Sequence, residues 1–256
     1  MISCKNLSKS FGNVTDGGIK AVDNISFEIN KGDICGYIGT NGAGKSTTVK
    51  ILTGILSPDS GQALINGIDA VKDPIEVKKI TGYVPENANI FNSLTVTEFL
   101  NFIGKIRDLD DELVKKRIER FSDYFSFEQY LNESIGILSK GNKQKILITS
   151  ALMHDPQVIF FDEPLNGLDA NAIFDFQDMV SMLAASGKTI LYCSHLLDTI
   201  EKISTKIIII DKGKIVLDKK SGELKDLENY KSLEQFFRQL EPENEKKKIQ
   251  YEDIFG

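Results

Sequence analysis

Cysteine is scarce in this sequence, and its spacing does not suit a metal site. The 256 residues include three cysteines, Cys4, Cys35 and Cys193, which lie far apart in the chain. Cys35 and Cys193 fall in apolar, strand-like runs, so we expect them to be buried, reduced thiols of a cytosolic protein. A catalytic role for a cysteine is the less favoured alternative.

Long apolar runs and an excess of positive charge are also missing. No apolar run approaches the roughly 20 residues that span a bilayer, and residues 1–5 do not resemble a signal peptide. We therefore expect a cytoplasmic protein that reaches a membrane only through a partner. The formal net charge of −6 and the pI near 5.2 argue against bulk electrostatic binding of nucleic acid.

A glycine-rich segment near residue 40 matches the phosphate-loop pattern of Gly, four residues and Gly-Lys-Ser. An apolar strand precedes it and a helix follows it, which is the setting this motif requires. Glycines let backbone N–H groups turn toward a phosphate, and the helix start adds its positive dipole end. The predicted nucleotide-binding residues are Gly39, Thr40, Asn41, Gly42, Ala43, Gly44, Lys45, Ser46 and Thr47. Lys45 supplies a charge to the β- and γ-phosphates, and the Ser46 hydroxyl is placed to ligate Mg²⁺.

Two later strands end in polar residues that suit the same chemistry. Residues 158–161 are apolar and lead into Asp162 and Glu163. In a phosphate-loop protein, an acid at the end of such a strand completes the Mg²⁺ site, a role that falls to Asp162. Glu163 can polarise an attacking water, although the two acids could also simply cap the strand. His195 follows the apolar run 189–193 and can hydrogen-bond a γ-phosphate.

The remaining pattern predicts an α/β fold. It comprises a phosphate-loop NTPase core with a mixed or parallel sheet, a small antiparallel β subdomain and an inserted helical subdomain. The helical part extends over about residues 87–153, where a Thr95-x-x-Glu98 capping box opens a helix. We expect an ATPase domain over 1–220, followed by a C-terminal helix and a charged tail over 221–256. The apolar stripe of that helix is predicted to pack on the domain rather than on a partner.

The residues alone do not establish the role of three further features. Phe11 ends the first strand and is assigned to core packing in preference to an aromatic face for a nucleotide base. The segment 138–142 precedes a helix and could be a second anion site or an ordinary cap. His154 lies outside the motifs, and we assign it to the surface.

The order of these motifs resembles the ATP-binding subunit of an ATP-binding cassette (ABC) transporter, from Ile2 to about Lys220. Six motifs occur in register: the phosphate loop, Pro85-Glu86, Leu138-Ser139-Lys140-Gly141-Asn142, Phe161-Asp162-Glu163-Pro164, Gly167-Leu168-Asp169 and Ser194-His195.

The resemblance implies ATP and Mg²⁺ as ligands and a role for each motif. Glu163 is the general base, His195 contacts the γ-phosphate, Phe11 stacks on adenine and Asp169 links two subunits. Two subunits, identical or different, pair head to tail around ATP. The signature loop then acts on the partner's nucleotide through Ser139, Lys140, Gly141 and Asn142.

The same resemblance implies an integral membrane permease as partner and a place on the inner face of the cell membrane. Two motifs depart from the family pattern. Glu86 stands where a Mg²⁺-ligating glutamine is usual, and Lys140 and Asn142 alter the usual Leu-Ser-Gly-Gly-Gln signature. The resulting signature looks like that of bacterial exporters. The alternative function is a soluble ABC ATPase with a non-transport partner.

A permease helix is expected to enter a groove formed by residues 87–97, including Phe91 and Leu94.

Overall fold

The computed structural model describes residues 1–12, 18–86, 90–226 and 230–240. The strands are β1 (Ile2–Phe11), β2 (Ile19–Ile29), β3 (Ile34–Ile38), β4 (Ser60–Ile65), β5 (Ile68–Asp69), β6 (Thr81–Val84), β7 (Val158–Asp162), β8 (Thr189–Cys193), β9 (Lys206–Asp211) and β10 (Lys214–Lys220). The helices are α1 (Lys45–Leu52), α2 (Pro74–Ile80), α3 (Val96–Ile106), α4 (Asp111–Phe125), α5 (Lys140–Leu152), α6 (Ala170–Ala185), α7 (Leu197–Ile203) and α8 (Leu233–Leu240).

A six-stranded sheet forms the centre of the molecule, in the order β10-β9-β3-β8-β7-β6. Strands β9, β3, β8, β7 and β6 are parallel, and β10 pairs antiparallel with β9. Both faces of the sheet are covered, which explains why β3, β7 and β8 are buried throughout and largely apolar. Successive residues face opposite sides, so Ile207 and Ile209 join one core cluster while Ile208 and Ile210 join the other.

A four-stranded antiparallel sheet, in the order β2-β1-β4-β5, covers one face of the central sheet. Its buried side chains, such as Leu7, Phe27 and Ile65, share a cluster with Tyr37 and Phe160 of the central sheet. Residues 13–17, between β1 and β2, lie outside the described part of the chain.

Helices α3 to α7 contribute buried side chains to the core cluster on the opposite face. Thr95 and Glu98 make the capping box at the start of α3, with reciprocal bonds of 3.2 and 2.8 Å between each side chain and the other residue's backbone N–H. On α4, Val114, Ile118 and Phe125 are buried at helical spacing, as their periodicity predicts.

The last described helix, α8, packs on the body of the domain. Leu233 is fully buried, and the Glu201 carboxylate on α7 accepts hydrogen bonds from Tyr230 Oη at 2.7 Å and from the Leu233 backbone N–H at 3.0 Å.

The two sheets and the helices that cover them confirm the predicted α/β fold, with its antiparallel and helical parts. Among the helices described, none is both long and apolar enough to cross a bilayer.

Candidate nucleotide site

Three motif-bearing strands are neighbours in the central sheet, so their ends meet at one edge. β3 leads into the phosphate loop, β8 pairs with β3, and β7 pairs with β8 so that Asp162 lies opposite Cys193. The carboxyl edge of such a parallel sheet is where ligands bind in open α/β folds. A cavity of about 430 Å³ lies there, lined by the phosphate loop, Phe11, Glu86, Asp162 and Glu163.

The phosphate loop depends on backbone that only glycine provides. Gly44 has a φ of +110°, and a Cβ placed on it would lie 2.2 Å from the carbonyl oxygen of Ala21. A side chain there is therefore excluded by conformation and by space. α1 begins at the next residue, Lys45, whose Nζ donates to the carbonyl oxygens of Gly39 at 2.7 Å and Thr40 at 3.2 Å.

Asp162 is a buried carboxyl group without a normal hydrogen-bonding partner. It is 1% exposed, and neither carboxyl oxygen has a hydrogen-bond partner within the described part of the chain. Burial, reinforced by the charges of Glu86 and Glu163, raises its pKa, while the Ser46 hydroxyl and Lys45 act in the opposite direction. The Asp162 carboxyl oxygens, next to the Ser46 hydroxyl, are suitable ligands for a hard cation. Mg²⁺ prefers oxygen ligands and usually takes one or two carboxylates plus phosphate.

Glu163 and His195 form a close pair at the ends of β7 and β8. His195 Nδ1 lies 2.8 Å from Glu163 Oε2, to which the His195 backbone N–H also donates at 3.4 Å. The Glu163 side chain is 12% exposed and that of His195 is 67% exposed. Glu163 has a φ of +53°, a left-handed conformation that is uncommon outside glycine. Such local strain clusters at functional sites.

Phe11 is not a core residue. Its side chain is 46% exposed, it lines the cavity with the phosphate loop, and Lys9 Nζ lies 5.8 Å from its ring centroid. The preference for core packing is therefore wrong. The aromatic face is available to a ligand in the cavity.

The signature segment lies apart from this cavity. Ser139, Lys140, Gly141 and Asn142 do not line it. Ser139 caps α5, where its Oγ accepts the Asn142 backbone N–H at 3.2 Å. Asp169 caps α6, and its hydrogen bond from the Ala172 backbone N–H is the main cause of its lowered pKa. Within one chain, the predicted site residues therefore form two groups.

Comparison with known proteins identifies the family. The ABC transporter family model matches residues 22–166, which is more than half of the chain. The ATP-binding protein NatA of Bacillus subtilis is 36% identical over 199 residues, covering 77% of this chain and 81% of NatA. This chain belongs to the ABC transporter ATP-binding family. Since cassettes of this family are ATPases, it binds and hydrolyses ATP.

Two further ABC proteins are similar over most of this chain. The Nod factor export ATP-binding protein I of Ralstonia nicotianae is 31% identical over 224 residues, 88% of this chain and 68% of that protein. A dimeric ATP-binding cassette, solved in a post-hydrolysis state with ADP and Pi, superposes with a TM-score of 0.79 at 25% identity. The match covers 86% of this chain and 99% of that one.

Two residues of interest escaped the sequence analysis. His154 is partly buried rather than fully exposed: its Nε2 lies 2.9 Å from the Thr81 carbonyl oxygen, and burial next to Arg107 lowers its pKa to about 4. Gln144 is 9% exposed and donates to the Pro164 carbonyl oxygen at 2.9 Å. No sequence signal marks either one, because the surroundings of each come from distant segments.

Proposed function

We propose that this ABC ATPase powers a separate membrane permease, that it works as a head-to-tail dimer, and that transport is outward. The observation that supports the proposal is that the predicted site residues of one chain form two separate groups. The phosphate loop, Asp162 and Glu163 share one cavity, and the loop 139–142 lies outside it. A second chain would bring its own loop to this cavity and complete the site. The solved dimeric cassette with ADP and Pi supports that arrangement.

Within each site, this chain's residues divide the work of hydrolysis. Lys45 and the glycine backbone hold the phosphates, and Phe11 stacks on the adenine. Glu163 accepts a proton from the attacking water, and His195, bonded to it, contacts the γ-phosphate. Ser139 and Gly141 of the partner would contact the same nucleotide.

Magnesium fits the oxygens on this edge. Asp162 and Ser46 would hold it, with Glu86 as a further carboxylate on the cavity wall. When bound, Mg²⁺ neutralises phosphate charge that develops during transfer. No group of three His, Cys, Asp or Glu residues suited to a metal exists in the described ranges. The ion would therefore depend on the nucleotide for its other ligands, as Mg²⁺ commonly does.

A cleft between α2, α3 and the end of α5 is the proposed permease-docking site. It has a volume of about 870 Å³, and its apolar wall includes Ile75, Ile103 and Ile106. Ile75 and Ile106 are 68% and 59% exposed, so this wall presents apolar surface to solvent.

The charge of the lining supports one kind of occupant, although Lys79 Nζ is already paired with the Glu76 carboxylate at 2.7 Å. Lys78, Lys79 and Arg107 line it together with a single carboxylate, that of Asp108. A short amphipathic helix of a membrane permease, with acidic residues beside its apolar face, would match this lining.

This cleft differs from the groove predicted from the sequence. Residues 87–89 are outside the described part of the chain, and neither Phe91 nor Leu94 lines the cleft. Phe91 packs edge to face on Phe102, with ring centroids 5.7 Å apart. The permease-facing surface is therefore proposed at α2 and α3.

The direction of transport rests on the signature Leu138-Ser139-Lys140-Gly141-Asn142 and on the export function in the name of one similar protein. The chain would then work at the inner face of the membrane, bound to its permease. The alternative, a soluble ABC ATPase with a non-transport partner, has no observation of its own in this structure.

Site-specific photo-crosslinking from Ile106 in intact membranes tests the proposal. Phe174 on α6 is the matched control, since it is 63% exposed and does not line the cleft. Capture of one multi-span membrane protein from Ile106 but not from Phe174 supports a permease. Capture of soluble proteins or ribosomes alone, with ATPase activity intact, would overturn the transport proposal.

A further inference from the structure

A buried hydrogen bond joins the helix of the signature loop to the segment that carries Glu163. Gln144 lies in the second turn of α5, and its Nε2 donates to the Pro164 carbonyl oxygen at 2.9 Å. Gln144 is 9% exposed and Pro164 is buried. A buried carbonyl that loses its partner keeps the full cost of its desolvation. Loss of the Gln144 donor would therefore destabilise this contact strongly.

The segment held by Gln144 is the one that needs support. Glu163 directly precedes Pro164 and has a φ of +53°. Its own backbone is fixed on the other side, because the Glu163 N–H donates to the Cys193 carbonyl oxygen at 2.9 Å. A residue in this sparsely populated conformation stays there only when its surroundings hold it.

A second contact ties the same two segments together. A Cβ on Gly141 would lie 2.6 Å from the Gly167 carbonyl oxygen, so the start of α5 approaches the turn after Pro164 at backbone distance. The Lys140 side chain covers Gly167 from the other side, since a Cβ on Gly167 would lie 2.9 Å from Lys140 Cγ. The signature loop and the Glu163 turn are thus one packed unit.

We propose that Gln144 is a positioning residue for Glu163. Its hydrogen bond to Pro164 holds the turn that aims the Glu163 carboxylate. Because α5 begins at the loop proposed to meet the partner's nucleotide, the same bond connects that loop to the base that acts on this chain's own nucleotide. The inference rests on the proposed role of Glu163 as general base.

The replacement Gln144→Met tests the role because methionine has nearly the same length and lacks the donor. We expect single-turnover hydrolysis at saturating ATP to fall at least about tenfold, as misplacement of a catalytic group does. The KM for ATP should stay within about twofold, since the phosphate loop is untouched. Gln157→Met is the matched control: Gln157 is exposed, and its side chain bonds Asn66 away from the site. It should leave the rate unchanged.

A rescue distinguishes positioning from general damage. In Gln144→Glu the shape is retained, and the side chain donates a hydrogen only when its carboxyl group is protonated. Burial raises the pKa of such a carboxyl group. The rate of this variant relative to the unmodified protein should therefore rise as the pH is lowered. The Glu variant also serves if the Met variant fails to fold.

The double variant distinguishes a failure of the inference about Gln144 from a failure of the proposed general-base role of Glu163. In a Glu163→Gln background, Gln144→Met should cause no further loss of the residual rate, because it acts through Glu163. Three results would overturn the inference. One is a further loss of hydrolysis rate of similar size in the double variant, and another is a normal rate in Gln144→Met. The third is a rate of Gln144→Glu, relative to the unmodified protein, that does not change with pH. Near-normal hydrolysis by Glu163→Gln alone would instead remove the proposed function of Glu163, and the inference with it.

Discussion

His195 Nδ1 lies 2.8 Å from Glu163 Oε2, so the two residues proposed to act on the γ-phosphate are hydrogen-bonded to each other. They follow adjacent parallel strands, in which Asp162 pairs with Cys193. The register of the sheet therefore brings them together, although 32 positions separate them in sequence. Both contacts of His195 fall on Oε2, so Glu163 Oε1 takes no part in this pair.

Removing the charge of Glu163 tests its role as base. In Glu163→Gln we expect hydrolysis to fall by about 10² to 10⁴-fold, the usual contribution of general-base catalysis. ATP binding should persist, and the ATP-bound dimer should accumulate on size-exclusion chromatography. Glu119→Gln, an exposed change on α4, is the control. A variant that hydrolyses ATP at the normal rate would contradict the assignment.

Loss of the Lys45 ammonium should weaken ATP binding rather than folding. Charged hydrogen bonds contribute about 1.5–3 kcal/mol, so Lys45→Ala should raise the Kd of ATP by about 10- to 150-fold. Titration calorimetry measures the change. Lys50→Ala, in the last turn of the same helix, controls for the loss of a nearby charge. Equal ATP affinity in the two variants would count against the phosphate-loop interpretation.

Replacement of Phe11 tests whether this residue recognises the adenine base of ATP rather than its phosphates. Stacking of a base on an aromatic ring contributes about 1–3 kcal/mol, so Phe11→Ala should weaken ATP by roughly 5- to 150-fold. Binding of inorganic tripolyphosphate should not change, because it has no base to stack. Phe11→Tyr keeps the ring and should bind ATP normally. Equal losses for ATP and tripolyphosphate would show that Phe11 shapes the loop instead.

His154 should make stability depend on pH. Its pKa in the folded protein is about 4, below the usual value of about 6.5. The unfolded chain therefore binds a proton first as the pH falls, and stability contributed by the neutral ring is lost below about pH 6.5. Between pH 7 and 5, His154→Gln should lose about 1 to 2 kcal/mol less of its unfolding free energy than the unmodified protein. Urea denaturation at both pH values measures this, and parallel pH profiles would refute it.

Local sequence predicted the elements and the phosphate site because their signals are local. Glycine spacing, apolar strands that end in acids and the Thr95–Glu98 capping box each depend on a few adjacent residues. The exposure of Phe11 could not be predicted from adjacent residues. Phe11 shares its cavity with the phosphate loop, which is more than 25 positions away in sequence. His154 and Gln144 were missed for the same reason. Their partners, Thr81 and Pro164, come from other segments.

The cleft proposed for permease docking has no local signal in the sequence. The sequence indicated a groove at 87–97, whereas the cleft proposed here gathers residues from α2, α3 and α5. Helix packing determines that shape, and a sequence without distance information does not contain it.

The burial of the cysteines makes this chain a convenient background for site-directed labelling. Cys4, Cys35 and Cys193 are all buried, and burial raises the pKa of each thiol, that of Cys4 to about 12. Thiolates are the species that react with maleimides, so the native residues should stay unmodified in the folded protein. A single cysteine introduced at Ile106 or Phe174 could then carry a fluorophore or spin label without prior removal of the others. Distances between two such chains would report directly on how they pair when ATP is added.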